Sequence, residues 1–257
     1  MLGVCLIESS SAQLRLQDAR TFVEANLARG DVWIVSASRG AADDLARAIA
    51  MDGGATIGLH RFSMTQLALR LAAPVLVDLE RAPATFLGSE AVAARATFDA
   101  LNDGELSYFE PVARTPGFPR ALARTVYELR LAAVEPERLA GLPLGGHDLS
   151  ALLHGFEAQF ERARAIDRAA LFEASTRSVS EHKAPVDAAV LLLDVPIDSE
   201  VELRFVESLL RAASSSQLPA SSLIPDPGSV LPGPRSLITV PFGDIATLNH
   251  LETLGLN

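Results

Sequence analysis

Val190-Leu191-Leu192-Leu193-Asp194-Val195 is the stretch whose reading decides the fold. Four apolar residues closed by an acid read as a strand buried on both faces, as a parallel sheet covered by helices requires. An acid at the end of such a strand is where a phosphate-handling sheet holds Mg²⁺, and the next residue is ordinarily a glutamate that polarises the attacking water. Valine at position 195 cannot polarise water. The stretch therefore predicts the frame of a nucleotide site without its chemistry.

Upstream, the first sixty residues alternate short apolar runs with amphipathic ones, the pattern of strands joined by covering helices. Strands are expected over 2–7, 32–35 and 56–59, with helices over 16–27 and 41–51 and another opening at Ser63-Met64-Thr65-Gln66. From about 76 to 184 sheet signals give way to helices broken by Gly88, Pro111, Pro116-Gly117, Pro119, Pro136, Pro143 and Gly145-Gly146. The clearest of these helices span 89–101, 118–132 and 149–165. The sheet resumes over 188–193, a helix follows over 200–213, and 214–234 is a loop dense in Ser, Pro and Gly. A last strand over 237–240 reaches Pro241-Phe242-Gly243-Asp244, with a helix from Ile245. The expected organisation is thus α/β, a parallel sheet with helices on both faces: its first half over 1–75, an all-helical insertion over 76–184, and its second half over 185–257. Ending there would leave later strands missing, so the chain is expected to be truncated.

Composition narrows the function classes. Alanine and leucine dominate and aromatics are only 5%, which favours packed helices over a sandwich or barrel. The one cysteine, Cys5, excludes a disulfide framework or multi-cysteine metal site and fits a reducing cytoplasm. Its apolar neighbours make too short a run to cross a membrane, which takes ~20 residues, and they lack a signal-peptide leader. A net charge of −10 argues against wholesale coating of nucleic acid, so any DNA contact is expected to be local or shared with a partner.

The first strand-to-helix loop, Glu8-Ser9-Ser10-Ser11-Ala12-Gln13-Leu14-Arg15, lacks the glycines and lysine with which a phosphate-binding loop closes on its ligand. Arg15 falls about where the lysine would stand, but on a glycine-free loop it reads as a solvated charge at a helix start. Ser36-Ala37-Ser38-Arg39 and His60-Arg61 follow the second and third expected strands, where hydroxyls and cations could meet a DNA backbone. Taken alone, the first group is better explained by helix capping through Ser38. His60 has no second His or Cys at ligand spacing, and Asp194 alone makes a poor magnesium site. Asp167 with Glu181-His182-Lys183 imitates a metal-dependent nuclease, yet that chemistry needs its acid and lysine on a core strand, and these lie in a loop pattern. No G-x-S-x-G elbow is present.

Taken in order, these segments resemble the first motor domain of superfamily 1 helicases, in the degenerate form found in AddB-like subunits of bacterial helicase-nucleases of the RecB family. Val4 to Arg15 takes the place of the Walker A strand and loop, and Val32 to Arg39 resembles motif Ia. Leu59-His60-Arg61-Phe62-Ser63-Met64-Thr65-Gln66-Leu67 resembles the segment that follows it. Leu191 to Asp194 matches Walker B, and Gly243-Asp244 resembles motif III, with Thr247 where that motif carries glutamine. The resemblance implies a RecA-like fold, a helical insertion of the 1B kind, DNA repair and recombination as the setting, and as partners DNA, including single strands, and a helicase subunit. It implies a degenerate nucleotide site at Ser11, Arg15, Asp194 and Asp244, with ATP and Mg²⁺ bound weakly or not at all, and no catalytic residues. The PD-(D/E)XK nuclease domain of such proteins lies at the far carboxyl end and is not in this sequence. DNA guidance through Ser36, Ser38, Arg39, His60 and Arg61, or bracing of a partner, is the leading expectation. A small-molecule α/β enzyme at the same sheet edge and a purely structural interaction module are the alternatives.

Overall fold

The computed structural model describes residues 3–54, 56–215 and 234–256. In chain order the elements are β1 (Val4–Ser9), α1 (Ala12–Leu27), β2 (Val32–Ser36), α2 (Arg39–Gly53), β3 (Leu59–Ser63) and α3 (Met64–Asp78). Then come β4 (Ala82–Pro83), α4 (Phe86–Asn102), α5 (Glu110–Ala113), α6 (Phe118–Leu131), α7 (Pro136–Ala140), α8 (Gly146–Arg162), β5 (Ala165–Ile166) and α9 (Arg168–Ser180). β6 (Ala189–Leu193), α10 (Glu200–Ser215), β7 (Ser236–Pro241) and α11 (Ile245–Thr253) complete the series. The chain divides into two compact units, one of Met1–Ala73, Ser175–Asp198 and Glu202–Asn257, the other of Pro74–Ala174 and Ser199–Val201.

The first unit holds a five-stranded sheet in the order β1-β7-β6-β2-β3. Every pairing in it is parallel. The three central strands carry the continuous apolar runs, and all of β2 and β6 is buried. Because side chains alternate across a strand, Val32 and Ile34 face one way with Ala189, Leu191 and Leu193, and there they join Ala19, Phe22 and Val23 of α1 and Ala42, Leu45 and Ile49 of α2 in one core. Trp33, Val35, Val190 and Leu192 alternate with them and are buried too, so neither face of the central strands is open to water. Fully burying each such side chain contributes about 1.5–3 kcal/mol, which makes the β6 run one of the strongest local determinants of the fold.

Several expected boundaries shift by a few residues, and two of the shifts matter for the site and the division of the chain. The third strand spans Leu59–Ser63 instead of 56–59. Gly58 adopts a left-handed turn (φ 83°) against Asp31, and its carbonyl accepts the Val32 N–H at 2.9 Å, so pairing begins only after it. Phe62, read as lying beyond the strand, packs edge-on to Trp33 with ring centroids 6.0 Å apart. The helical insertion ends earlier than expected, at Ala174 instead of 184, because the second half of α9 belongs with the sheet unit. The loop read over 214–234 lies, apart from its ends, outside the described residues.

The second unit is helical but for a two-residue parallel pairing of β4 and β5, which the sequence reading missed. Its core joins Ala93, Ala96 and Ala100 of α4, Leu122 and Val126 of α6, and Leu152, Leu153, Phe156 and Phe160 of α8. The glycine pair at the head of α8 is a steric requirement. Gly145 is left-handed (φ 84°) and pressed against the Tyr108 ring, and a Cβ on Gly146 would strike the Leu139 carbonyl. Asp148, in the first turn of α8, is buried and accepts the Ser107 N–H at 2.9 Å, the Ser107 hydroxyl at 3.2 Å and the Phe109 N–H at 2.9 Å. Burial alone would push this carboxyl upward, but the backbone N–H groups of Phe109 and Ser107 and the Ser107 hydroxyl outweigh it and hold it below the usual aspartate range.

Asp148→Asn is expected to destabilise the protein by on the order of 2–3 kcal/mol, the scale for hydrogen bonds to a buried charged group. A carboxyl depressed in the folded state stabilises above its unfolded pKa of about 3.9 and loses that contribution as the pH falls through the folded value. Urea titrations should therefore show the full difference from wild type at neutral pH and a shrinking one below about pH 4; a difference that stays constant on acidification would refute this origin.

Candidate functional site

In a parallel sheet the carboxyl ends of all strands share one edge, which is where ligands of open α/β sheets sit. With β7 between β1 and β6, the segments after β1 (Ser10-Ser11), β6 (Asp194-Val195) and β7 (Phe242-Gly243-Asp244) become neighbours there. They are also the segments in which the sequence departs from a working nucleotide site.

Arg15 and Asp194 meet at this edge. The Arg15 Nε donates to Asp194 Oδ1 at 2.9 Å and Oδ2 at 3.1 Å, and Nη2 donates to Oδ2 at 2.9 Å. Nη1 donates to the Ser9 carbonyl. The Thr239 hydroxyl on β7 donates to Asp194 Oδ1 at 2.7 Å and accepts the Asp194 N–H at 3.0 Å. The Arg15 side chain is 7% exposed and that of Asp194 29%, so the guanidinium is enclosed while the carboxylate keeps one side toward solvent. This corrects the reading of Arg15 as a solvated helix-start charge: with no glycine to bring backbone amides around an anion, the cation turns inward to the acid of β6. Asp194 itself has a left-handed backbone (φ 49°), a conformation that costs a non-glycine residue about 1 kcal/mol or more and that the surrounding bonds maintain.

The flanking polar residues are similarly committed. Ser11 caps α1, its hydroxyl accepting the Leu14 N–H at 3.3 Å, while its own N–H donates to the Ser9 hydroxyl at 3.1 Å. Asp244 caps α11 through the Thr247 N–H at 3.2 Å. Thr247 is buried, and its hydroxyl accepts the Ile197 N–H at 2.9 Å, while His250 Nδ1 donates to the Ile197 carbonyl at 2.8 Å. The loop after β6, including the buried Val195, is thereby fastened to α11.

The five residues expected to contact DNA do not form one group. Ser36 is fully buried and its hydroxyl donates to the Ser38 carbonyl. Ser38 caps α2 through the Ala41 N–H at 3.5 Å. Arg39 and Arg61 are exposed and converge on Asp43, at 3.8 and 3.5 Å. His60 lies near the opposite end of the sheet, because β3 starts at Leu59: it pairs with Asp31 at 2.9 Å and stacks on Phe62. The nuclease-like Glu181 and Lys183 pair with each other at 3.3 Å in the turn after α9 and not on a strand, as the sequence pattern expected.

Sequence reasoning overlooked Thr239 and the space beside Asp194. The signal for Thr239 was a hydroxyl inside an otherwise apolar strand, Leu237-Ile238-Thr239-Val240, where a buried polar group must have a partner. Between α1 and α2, over Leu193 and Asp194, lies a cleft of about 670 Å³. Alanines 12, 37, 41 and 48 leave it open. No helix among the described residues is long and apolar enough to cross a membrane. No protein-family model matches the sequence, and no curated protein matches it.

Removing one member of an enclosed ion pair strands the other. Arg15→Met and Asp194→Asn are each expected to cost on the order of 3 kcal/mol in chemical denaturation, and together much less than the sum of the two single losses. Additive losses would show that the pair is not coupled.

Proposed function

We propose that this chain is a RecA-like, AddB-like helicase domain that has stopped hydrolysing nucleotide and serves a DNA repair and recombination complex by guiding DNA and bracing a partner. The observation that carries this reading is the bidentate Arg15–Asp194 pair. The cation that would neutralise phosphates and the acid that would hold Mg²⁺ neutralise each other, and Thr239 takes a further acceptor site on the carboxylate. A Mg²⁺–nucleotide does not fit these residues as they stand: the metal would have to displace a guanidinium, and its phosphates would meet a loop with no glycine. The adjacency of the three altered segments, set by β7 lying between β1 and β6, supports their common origin in one site.

The DNA part of the reading rests on less surface than the sequence suggested. Arg39, Arg61 and Ser38 remain exposed near one edge, and Asp43 cancels part of their charge. Contact with a strand is therefore weak and strongly salt-dependent, consistent with a net charge of −10. A second reading, binding of a small molecule at the same edge, is favoured by the cleft between α1 and α2.

Two measurements test the proposal. Calorimetric titration with Mg²⁺–ATP should give no binding heat, and tight binding would overturn the reading of the Arg15–Asp194 pair as closed to nucleotide. Fluorescence anisotropy with a single-stranded oligonucleotide at low salt should show binding whose log–log salt slope falls by about 0.7 for each of Arg39→Ala and Arg61→Ala; an unchanged slope and affinity would remove these arginines from the interface.

A further inference from the structure

The cleft between α1 and α2 has a chemical character that the helicase-like reading does not use. Its walls are Ala12, Leu16, Ala41, Leu45 and Ala48, and Leu193 forms part of its floor. Leu16 remains 43% exposed there, apolar surface that an occupant would cover. At about 670 Å³ the cleft falls within the range of small-molecule sites, roughly 300–1,000 Å³.

Its charged groups are all satisfied within the chain. Asp194 is held by Arg15 and Thr239. Arg20 pairs with Glu24 at 2.7 Å and with Asp52, and Asp44 pairs with Arg47 at 2.6 Å. A phosphate or carboxylate entering the cleft would have to compete with Glu24 and Asp52 for Arg20, and an ammonium group with Arg47 for Asp44. The other polar side chains on its lining are two neutral carboxamides, Gln13 and Gln17, both exposed. Four apart on α1, they lie on one face of the helix, stacked a turn apart, and each offers both a donor and an acceptor.

We infer that this cleft binds an uncharged small molecule with an apolar body and an amide-like edge, its donor and acceptor meeting Gln13 and Gln17 while its body covers Leu16 and the alanine-lined walls. No bond is made or broken in this proposal; the site is one of recognition. It stands apart from the sealed Arg15–Asp194 pair in its consequence, since the ligand it selects carries no phosphate.

The test uses the whole chain and two matched pairs of probes, benzamide against benzoate and nicotinamide against nicotinate, followed by protein-observed NMR. Saturable shifts of α1 and α2 amides with the neutral member of each pair, at least tenfold weaker with the anion, are expected. Ala48→Trp, at an exposed position, should fill the cleft and abolish those shifts, and Gln13→Leu with Gln17→Leu should weaken them while the fold is retained. Equal or tighter binding of the anions, no binding of any probe, or binding that survives Ala48→Trp would overturn the assignment. None of these outcomes bears on Mg²⁺–ATP or DNA, so this site and the helicase-like reading fail separately.

Discussion

Enclosing a guanidinium and a carboxylate together is costly unless each finds its full set of partners, because both ions surrender water at an effective penalty of several kcal/mol. Arg15 and Asp194 meet that condition through two-pronged geometry, the Ser9 carbonyl and the Thr239 hydroxyl. These groups come from β1, α1, the end of β6 and β7, so the pair fixes how the edge of the sheet closes. α1 must start where Ser11 caps it, β7 must lie between β1 and β6, and Asp194 must take its left-handed turn. The rest of the edge follows from those restrictions.

An edge arranged this way is held by contacts within the chain. A working nucleotide loop holds its cation and acid ready for a ligand, whereas here Arg15 and Asp194 answer each other. The same substitution of internal for external partners recurs beside it. Thr247, standing where the resemblance to motif III would place glutamine, accepts the Ile197 N–H, and Val195 is buried within the loop that His250 also holds. These contacts tie α11 to the strand of Asp194 from within the chain. The neighbouring cleft remains open because alanine, and not a larger apolar residue, stands at positions 12, 37, 41 and 48.

Much of this was legible in the sequence because hydrophobic runs and caps are local signals. The β6 run, the helix of 118–131, the capping serine before α2 and the helical insertion all follow from periodicity and breakers that the chain carries in plain view. What could not be read is what depends on partners distant in sequence. Arg15 and Asp194 are 179 residues apart, and whether an arginine at a helix start is solvated or buried depends on what the sheet brings opposite it. The third strand was placed early because Thr56 and Ile57 are good strand formers, and only the turn at Gly58 against Asp31 shows that pairing starts afterwards. That shift moved His60 away from the ligand edge and onto Phe62 and Asp31.

The most direct measurement of the central claim is the Arg15 Nε–H resonance in ¹⁵N-edited NMR, assigned by its loss in Arg15→Lys. The sealed-pair account predicts a sharp signal, protected from solvent exchange and unmoved by millimolar Mg²⁺–ATP. A signal that exchanges freely with water, or one that shifts when Mg²⁺–ATP is added, would show that the pair opens to phosphates and would contradict the account.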